Sequence, residues 1–284
     1  MFYMQMCMDV VMTNRLRLGV FLCLFSLLTM TGCSSSKNAD ADKPPEPVEK
    51  MYAKAAAQLD AGNNTEAAKQ FDSVEQNYPY SQWATRAQLM AGYAQYKNLK
   101  YDDALLALGR FIELHPGDEN IAYAYYLKAL CYYEQISDVR RDQKMTEEAL
   151  NSLKQVKQRF PDTAYARDAI LKIDLTLDHL AGKEMEIGRY YLDRKLYQAS
   201  INRFERVVEQ YQTTTHVPEA LERLTEAYLA LGIPDEARKS AAILGLNYPQ
   251  SVWYKDAYKL VGDPSIPAPK KPSVYDKTIG RILN

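Results

Sequence analysis

Ala67-Ala68-Lys69-Gln70-Phe71-Asp72-Ser73-Val74-Glu75-Gln76-Asn77-Tyr78-Pro79-Tyr80-Ser81 holds a small residue, a proline twelve positions on, and a hydroxyl two positions after that. The same spacing returns at Ala104/Pro116/Asp118, Ala149/Pro161/Thr163, Ser200/Gln212/Thr214 and Ala237/Pro249/Ser251. Each member has a physical job. The small side chain lets a second helix approach closely. Proline lacks an N–H and clashes with the preceding turn, so it ends a helix. A hydroxyl or carboxylate just after it can accept from the orphan N–H groups of the next helix. A chain that repeats this sentence five times is a series of helical hairpins.

Helices one step upstream keep the register. Ala55, Gly92 and Gly188 stand twelve residues before the small position, while Tyr191 and Tyr228 stand nine before it. The loop-entry positions advance by 37, 45, 51 and 37 residues, a little more than the roughly 34 of a tetratricopeptide repeat. The spacing therefore predicts an all-α array of tetratricopeptide type, five hairpins wound into a superhelix. Helix pairs are expected at 48–60 with 64–77, 82–97 with 101–114, 120–136 with 145–159, and 218–231 with 234–247. A long stretch over 164–195, with a break at Gly182, pairs with 198–211, and a last helix covers 251–261. The tyrosine-rich run from Tyr123 to Tyr133 has strand propensity, but Leu127, Ala129 and Leu130 continue it at helical spacing.

Two places exceed a plain repeat. Residues Ser137 to Lys144 lengthen the third hairpin and read either as a solvated charged loop or as a protruding contact element. Fourteen extra residues between 161 and 212 amount to about four turns of helix, a rigid spacer between two halves. The organisation expected is a leader over 1–32, a tether over 33–47, an N-terminal half over 48–163, a C-terminal half over 164–263, and a disordered tail over 264–284 rich in Pro267, Pro269 and Pro272.

The leader has its own chemistry. Arg15 and Arg17 precede an apolar run from Leu18 to Leu28, followed by Thr29-Met30-Thr31-Gly32-Cys33. Positive charge, a short apolar core and small residues make a secretory signal, too short for a comfortable membrane span. Its ending resembles the lipobox of bacterial lipoproteins, with Met30 where Leu is usual; the resemblance implies that Cys33 carries lipid. Met12 serves as a start as well as Met1, since the residues before it add nothing that a signal needs. Ser34 to Val48, with Pro44-Pro45-Glu46-Pro47, reads as an extended tether. With Cys7 and Cys23 in the leader, Cys131 alone is left in the folded part, inside the apolar stretch Leu127 to Tyr132. A buried structural thiol fits that neighbourhood better than a nucleophile.

Chemistry-bearing constellations are missing from the sequence. His115, His179 and His216 fall in separate repeats without a partner at metal-ligand spacing, and no phosphate loop, zinc-protease motif or nucleophile elbow occurs. Asp174 and Asp178 lie one helical turn apart but read as a solvated face beside Lys172. Neither a catalytic residue, a metal nor a cofactor is expected. A net charge of −1 removes the electrostatic driver of general nucleic-acid binding. What is left is surface. The 22 tyrosines offer large contact area at low entropy cost; most read as core between repeats, with Tyr78, Tyr80 and Trp83 at the first inter-repeat turn as the candidates for binding an extended peptide.

Several runs carry a family resemblance. Met51-Tyr52, the turn Asn77 to Ser81, Ala122 to Leu130, the insertion Asp138 to Lys144, the run Asp178 to Tyr191 (DHLAGKEMEIGRYY) and Ile201-Asn202-Arg203-Phe204 together make the mature chain resemble the BamD family of outer-membrane β-barrel assembly lipoproteins. The resemblance implies a scaffold anchored at the periplasmic face of the outer membrane. Its N-terminal repeats would receive unfolded outer-membrane proteins. Its C-terminal repeats would dock the periplasmic domains of the barrel-forming subunit BamA, alongside other lipoproteins of the complex. Arg203 matches the arginine that contacts that subunit, with Asn202, Phe204 and Arg189 around it. A different repeat lipoprotein, coordinating cell-wall synthesis or secretin assembly, would share lipid and hairpins and stays open on the residues alone.

Overall fold

The computed structural model describes residues 46–262. The leader, Cys33, the tether up to 45 and the tail from 263 lie outside the described residues. Within them the chain is built from eleven α-helices: α1 (Val48–Asp60), α2 (Asn64–Asn77), α3 (Gln82–Lys97), α4 (Tyr101–Leu114), α5 (Ile121–Tyr133), α6 (Lys144–Arg159), α7 (Ala164–Asp193), α8 (Tyr197–Gln210), α9 (Val217–Ala230), α10 (Pro234–Asn247) and α11 (Val252–Val261). Each helix packs on the next in chain order, and the first helices of hairpins also touch one another: α1 with α3, α3 with α5, α5 with α7, and α9 with α11.

The five loop-entry signals become five copies of one turn. Tyr78, His115, Phe160, Tyr211 and Tyr248 each follow a helix, with φ between −125° and −135° and ψ between 42° and 56°. Each still donates its N–H to the carbonyl four residues back. Four of them precede proline, whose ring keeps its predecessor out of the helical region; Gln212 follows the fifth, so the aromatic and its packing hold the turn without proline. Downstream, Ser81 Oγ accepts from Ala84 N (3.1 Å), Thr163 Oγ1 from Ala166 N (3.1 Å) and Ser251 Oγ from Trp253 N (3.2 Å). Each such cap contributes about 1 kcal/mol. Asp118 and Thr214 act differently: Asp118 Oδ1 accepts from Asn120 N (2.7 Å), and Thr214 Oγ1 donates to Tyr211 O (2.8 Å). They fix the turn, and α5 and α9 start two residues later, after Asn120 and His216.

The small positions do what close packing requires. Ala67, Ala104, Ala149, Ser200 and Ala237 are all completely buried. Glycine is needed where a hairpin's two helices cross most tightly. A Cβ on Gly92 would stand 2.9 Å from Leu108 Cδ2, and one on Gly188 would overlap the ring of Phe204. The core follows the array as four successive apolar clusters, centred on Phe71, Phe111, Leu153 and Phe204.

Helix α7 runs thirty residues without interruption, so the expected break at Gly182 is absent. Gly182 is buried, and a Cβ there would lie 3.3 Å from His216 Nε2 and 3.6 Å from Val139 Cγ1. The residue admits two neighbours to the helix surface and leaves the helix intact. The first half of α7 packs on α6 and the second on α8.

Candidate binding surfaces

The two regions singled out in the sequence fall on different helices of their hairpins, near the first helices in the N-terminal half and on the second helix, α8, in the C-terminal half. In the N-terminal half, α1, α3 and α5 border a groove of about 240 Å3 lined by Tyr52, Arg86, Leu89, Met90, Phe111 and Tyr123. Its floor is apolar, and Arg86 supplies its cation, resting 5.5 Å from the Trp83 ring centre. Aromatic rings continue along the same helices. Tyr52 meets Trp83 at 4.9 Å, Tyr93 meets Tyr123 at 6.4 Å, and Tyr165 stands 5.5 Å from Tyr123 and 5.3 Å from Tyr126. Tyr126 Oη donates to Asp168 Oδ2 (2.5 Å), whose carboxyl is held below its ordinary range by that bond and by Lys172. Burial pushes the Tyr123 and Tyr126 phenols upward, so they stay protonated donors.

Of the three expected binding aromatics, the structure separates each from the others. Tyr80 is fully exposed in the turn. Tyr78 is half-buried and ends α2. Trp83 is not a turn residue: it lies in the first turn of α3 and packs on the α1–α2 core through Tyr52. Sequence reading passed over Tyr52, Arg86 and Met90. The signal available was their place on α1 and α3, the first helices of their hairpins, which border the groove.

In the C-terminal half, α8 presents Arg203 and Arg206 to one carboxylate of α7. Arg203 Nη1 donates to Glu184 Oε2 and Arg206 Nη1 to Glu184 Oε1, both at 3.0 Å. Glu184 is nine-tenths buried, and two guanidinium groups on one carboxylate leave an excess positive charge facing solvent. Asn202 is exposed beside them and accepts from Gln198 Nε2 (3.5 Å). Arg189 joins Glu186 (3.5 Å) to Glu219 (3.0 Å) on α9. Phe204 differs from its neighbours. It is completely buried against Gly188, so in this fold it is a core residue that sets the α7–α8 spacing beside Arg203 rather than a surface contact.

The insertion between α5 and α6 does not protrude. Gln143 Nε2 donates to the carbonyls of Asp138 (3.4 Å), Val139 (3.3 Å) and Arg141 (3.0 Å), folding the loop on itself. Arg140 Nε then pairs with Glu186 Oε1 (3.2 Å), and Lys183 Nζ donates to Arg141 O (3.4 Å). The loop is a strap across the middle of α7, beside an open cleft of about 420 Å3 lined by Arg141, Glu147, Lys183, Glu184, Ile187 and Tyr211.

Asp174 and Asp178 do not combine into a paired-carboxylate site. Asp174 is exposed, whereas Asp178 Oδ1 accepts from Thr215 N (2.9 Å) and Thr215 Oγ1 (2.7 Å). Cys131 is completely buried, and burial pushes its thiol up to about 12, which keeps it protonated and inert.

A family model described as outer membrane lipoprotein (YfiO) matches residues 44–243. The outer membrane protein assembly factor BamD of Caulobacter vibrioides is 48% identical over 260 residues, covering 90% of this chain and 85% of that protein. The protein of the same name from Rickettsia prowazekii is 47% identical over 234 residues, covering 82% and 92%. That of Neisseria meningitidis serogroup A is 34% identical over 245 residues, again covering 82% and 92%. Matched over most of its length by the family model and by these relatives, the chain belongs to the YfiO family of outer membrane lipoproteins, to which it joins the BamD assembly factors as near kin.

Proposed function

We propose that this chain is the lipid-anchored scaffold subunit of the outer-membrane β-barrel assembly (Bam) complex. The observation that carries the reading is likeness along nearly the whole chain to relatives named as outer membrane protein assembly factors. In this reading the N-terminal half, residues 48–163, takes unfolded barrel precursors into the groove beside Tyr52, Arg86 and Tyr123. An extended segment suits that groove, because tyrosines give contact area with few rotors to freeze and an apolar floor takes hydrophobic side chains. The C-terminal half, 164–263, docks the periplasmic domains of BamA through Arg203, Asn202 and Arg189, alongside other lipoproteins of the complex. A guanidinium pairs bidentately with a partner carboxylate. Arg206, sharing Glu184 with Arg203, belongs to the same surface.

Cys33 carries the lipid and Ser34 to Pro47 the tether, holding the scaffold at the periplasmic face of the outer membrane. Each buried methylene of an acyl chain adds about 0.8 kcal/mol, so several chains on one sulfur anchor firmly. Tethering raises effective concentration near the barrel-forming subunit. The task is capture and orientation: insertion of apolar strands into lipid is downhill, and a scaffold that binds the unfolded precursor keeps it from aggregating. Depletion tests the reading. Barrel proteins should disappear from the outer membrane while cell division proceeds; division defects with normal barrel levels would refute it.

A further inference from the structure

The middle of α7 is a joint of unusual construction. Leu180 belongs to the apolar cluster shared with α5 and α6, whereas Ala181, its neighbour, opens the cluster shared with α8 to α11. Tyr211 packs against both. Gly182 follows immediately, and glycine inside a helix costs about 1 kcal/mol relative to alanine, so the uninterrupted α7 is least stiff there. First helices touch along the array, and α7 meets α9 through side chains, Arg189 pairing with Glu219 at 3.0 Å beyond the joint.

Polar ties cross this point from both sides. From the N-terminal side, the strap reaches past Leu180 to pair Arg140 with Glu186 and to offer the Arg141 carbonyl to Lys183. From the C-terminal side, Thr215 reaches back to Asp178 with its N–H and its hydroxyl, while His216 Nε2 stands 3.6 Å from the same carboxylate. In a solenoid each repeat ordinarily contacts only its neighbours. Here the loop of the third hairpin reaches past α6 to the second half of α7, which opens the next hairpin. Each of these ties joins residues on opposite sides of Gly182, so a bend there would load them together with the packing of Tyr211.

We propose that α7 contains a splinted hinge at Leu180–Gly182, whose angle, and with it the setting of the two halves, is held by the strap and the Asp178–Thr215 tie. The hinge requires nothing about what either half binds. The Arg140–Glu186 pair of the splint is exposed and weakens with salt, so the strap side of the joint is adjustable where an apolar core would not be.

Spin labels on cysteines replacing Leu106 in α4 and Leu246 in α10, both exposed, report the angle by pulsed dipolar distance measurement in the purified mature protein. At low salt one narrow distance distribution is expected. In 1 M NaCl, and in the Arg140→Ala/Asp178→Ala variant, its width should grow at least about twofold while helicity by circular dichroism stays constant. Gly182→Ala, which stiffens α7 at the cost of a small shift of His216, should narrow it again. An unchanged width of the unmutated protein in high salt overturns the proposal, even if the double variant does not fold.

Discussion

At the scale of single residues, the array states its own strain. Leu99 and Lys195 sit at φ 58° and 60° in the short turns where the hairpins at Gly62 and Gly232 use glycine. A β-carbon in the left-handed region costs about 1–2 kcal/mol, partly offset because glycine has more entropy to lose. Leu99, an exposed leucine, is the clean test: Leu99→Gly should raise unfolding free energy by about 0.5–1 kcal/mol in urea denaturation. Glu222 is the opposite case. It is buried on α9, 3.4 Å from Arg223, and burial outweighs that arginine to push its carboxyl up to about 7. The folded state then holds a proton that the unfolded state releases above the ordinary carboxylate pKa. The stabilisation is complete below that ordinary value and is lost as pH rises through about 7. Glu222→Gln should flatten the decline of stability between pH 5 and 8 and gain on the order of 1–3 kcal/mol at pH 8, read from denaturation at both pH values.

Elements were legible where one residue type has one physical use. A small residue, a proline twelve positions on and a hydroxyl or carboxylate after it placed the inter-repeat turns and most helix ends. Asp118 and Thr214 misled because an oxygen after a turn can serve the turn or the next helix, and only the backbone geometry decides. Gly182 misled for the same reason in reverse: glycine marks a break or a close approach, and the neighbours that need the space, Val139 and His216, are far away in sequence. Gly188 shows the second use plainly. Gly188→Val would drive a branched side chain into the Phe204 ring, and overpacking of this severity costs about 1–3 kcal/mol or more. A fall in thermal midpoint accompanied by loss of Arg203-dependent binding would confirm that α7–α8 spacing aims the arginine. Unchanged stability would show that the hairpin can spread.

For the molecule as a whole, sequence reading reached the architecture because a repeat multiplies a weak signal, and it reached the candidate surfaces only in part. Arg203 and Asn202 stand at the surface on α8, while Phe204 is core. The N-terminal groove depends on Tyr52, Arg86 and Tyr123 meeting from three helices, and no spacing along the chain displays that convergence. The strap's grip on α7 is equally tertiary. The central claim is that this array holds other polypeptides for barrel assembly, with Arg203 at the docking surface. It is tested most directly by affinity capture of the chain from solubilised membranes, with captured proteins identified by mass, comparing the unmutated protein with Arg203→Gln and Arg203→Glu. The account predicts that the barrel-forming subunit BamA is recovered with the unmutated chain. Recovery should be reduced several-fold with glutamine and lost with glutamate, which also faces Glu184, at unchanged helicity. Capture without that subunit, or equal recovery with all three forms, would contradict it.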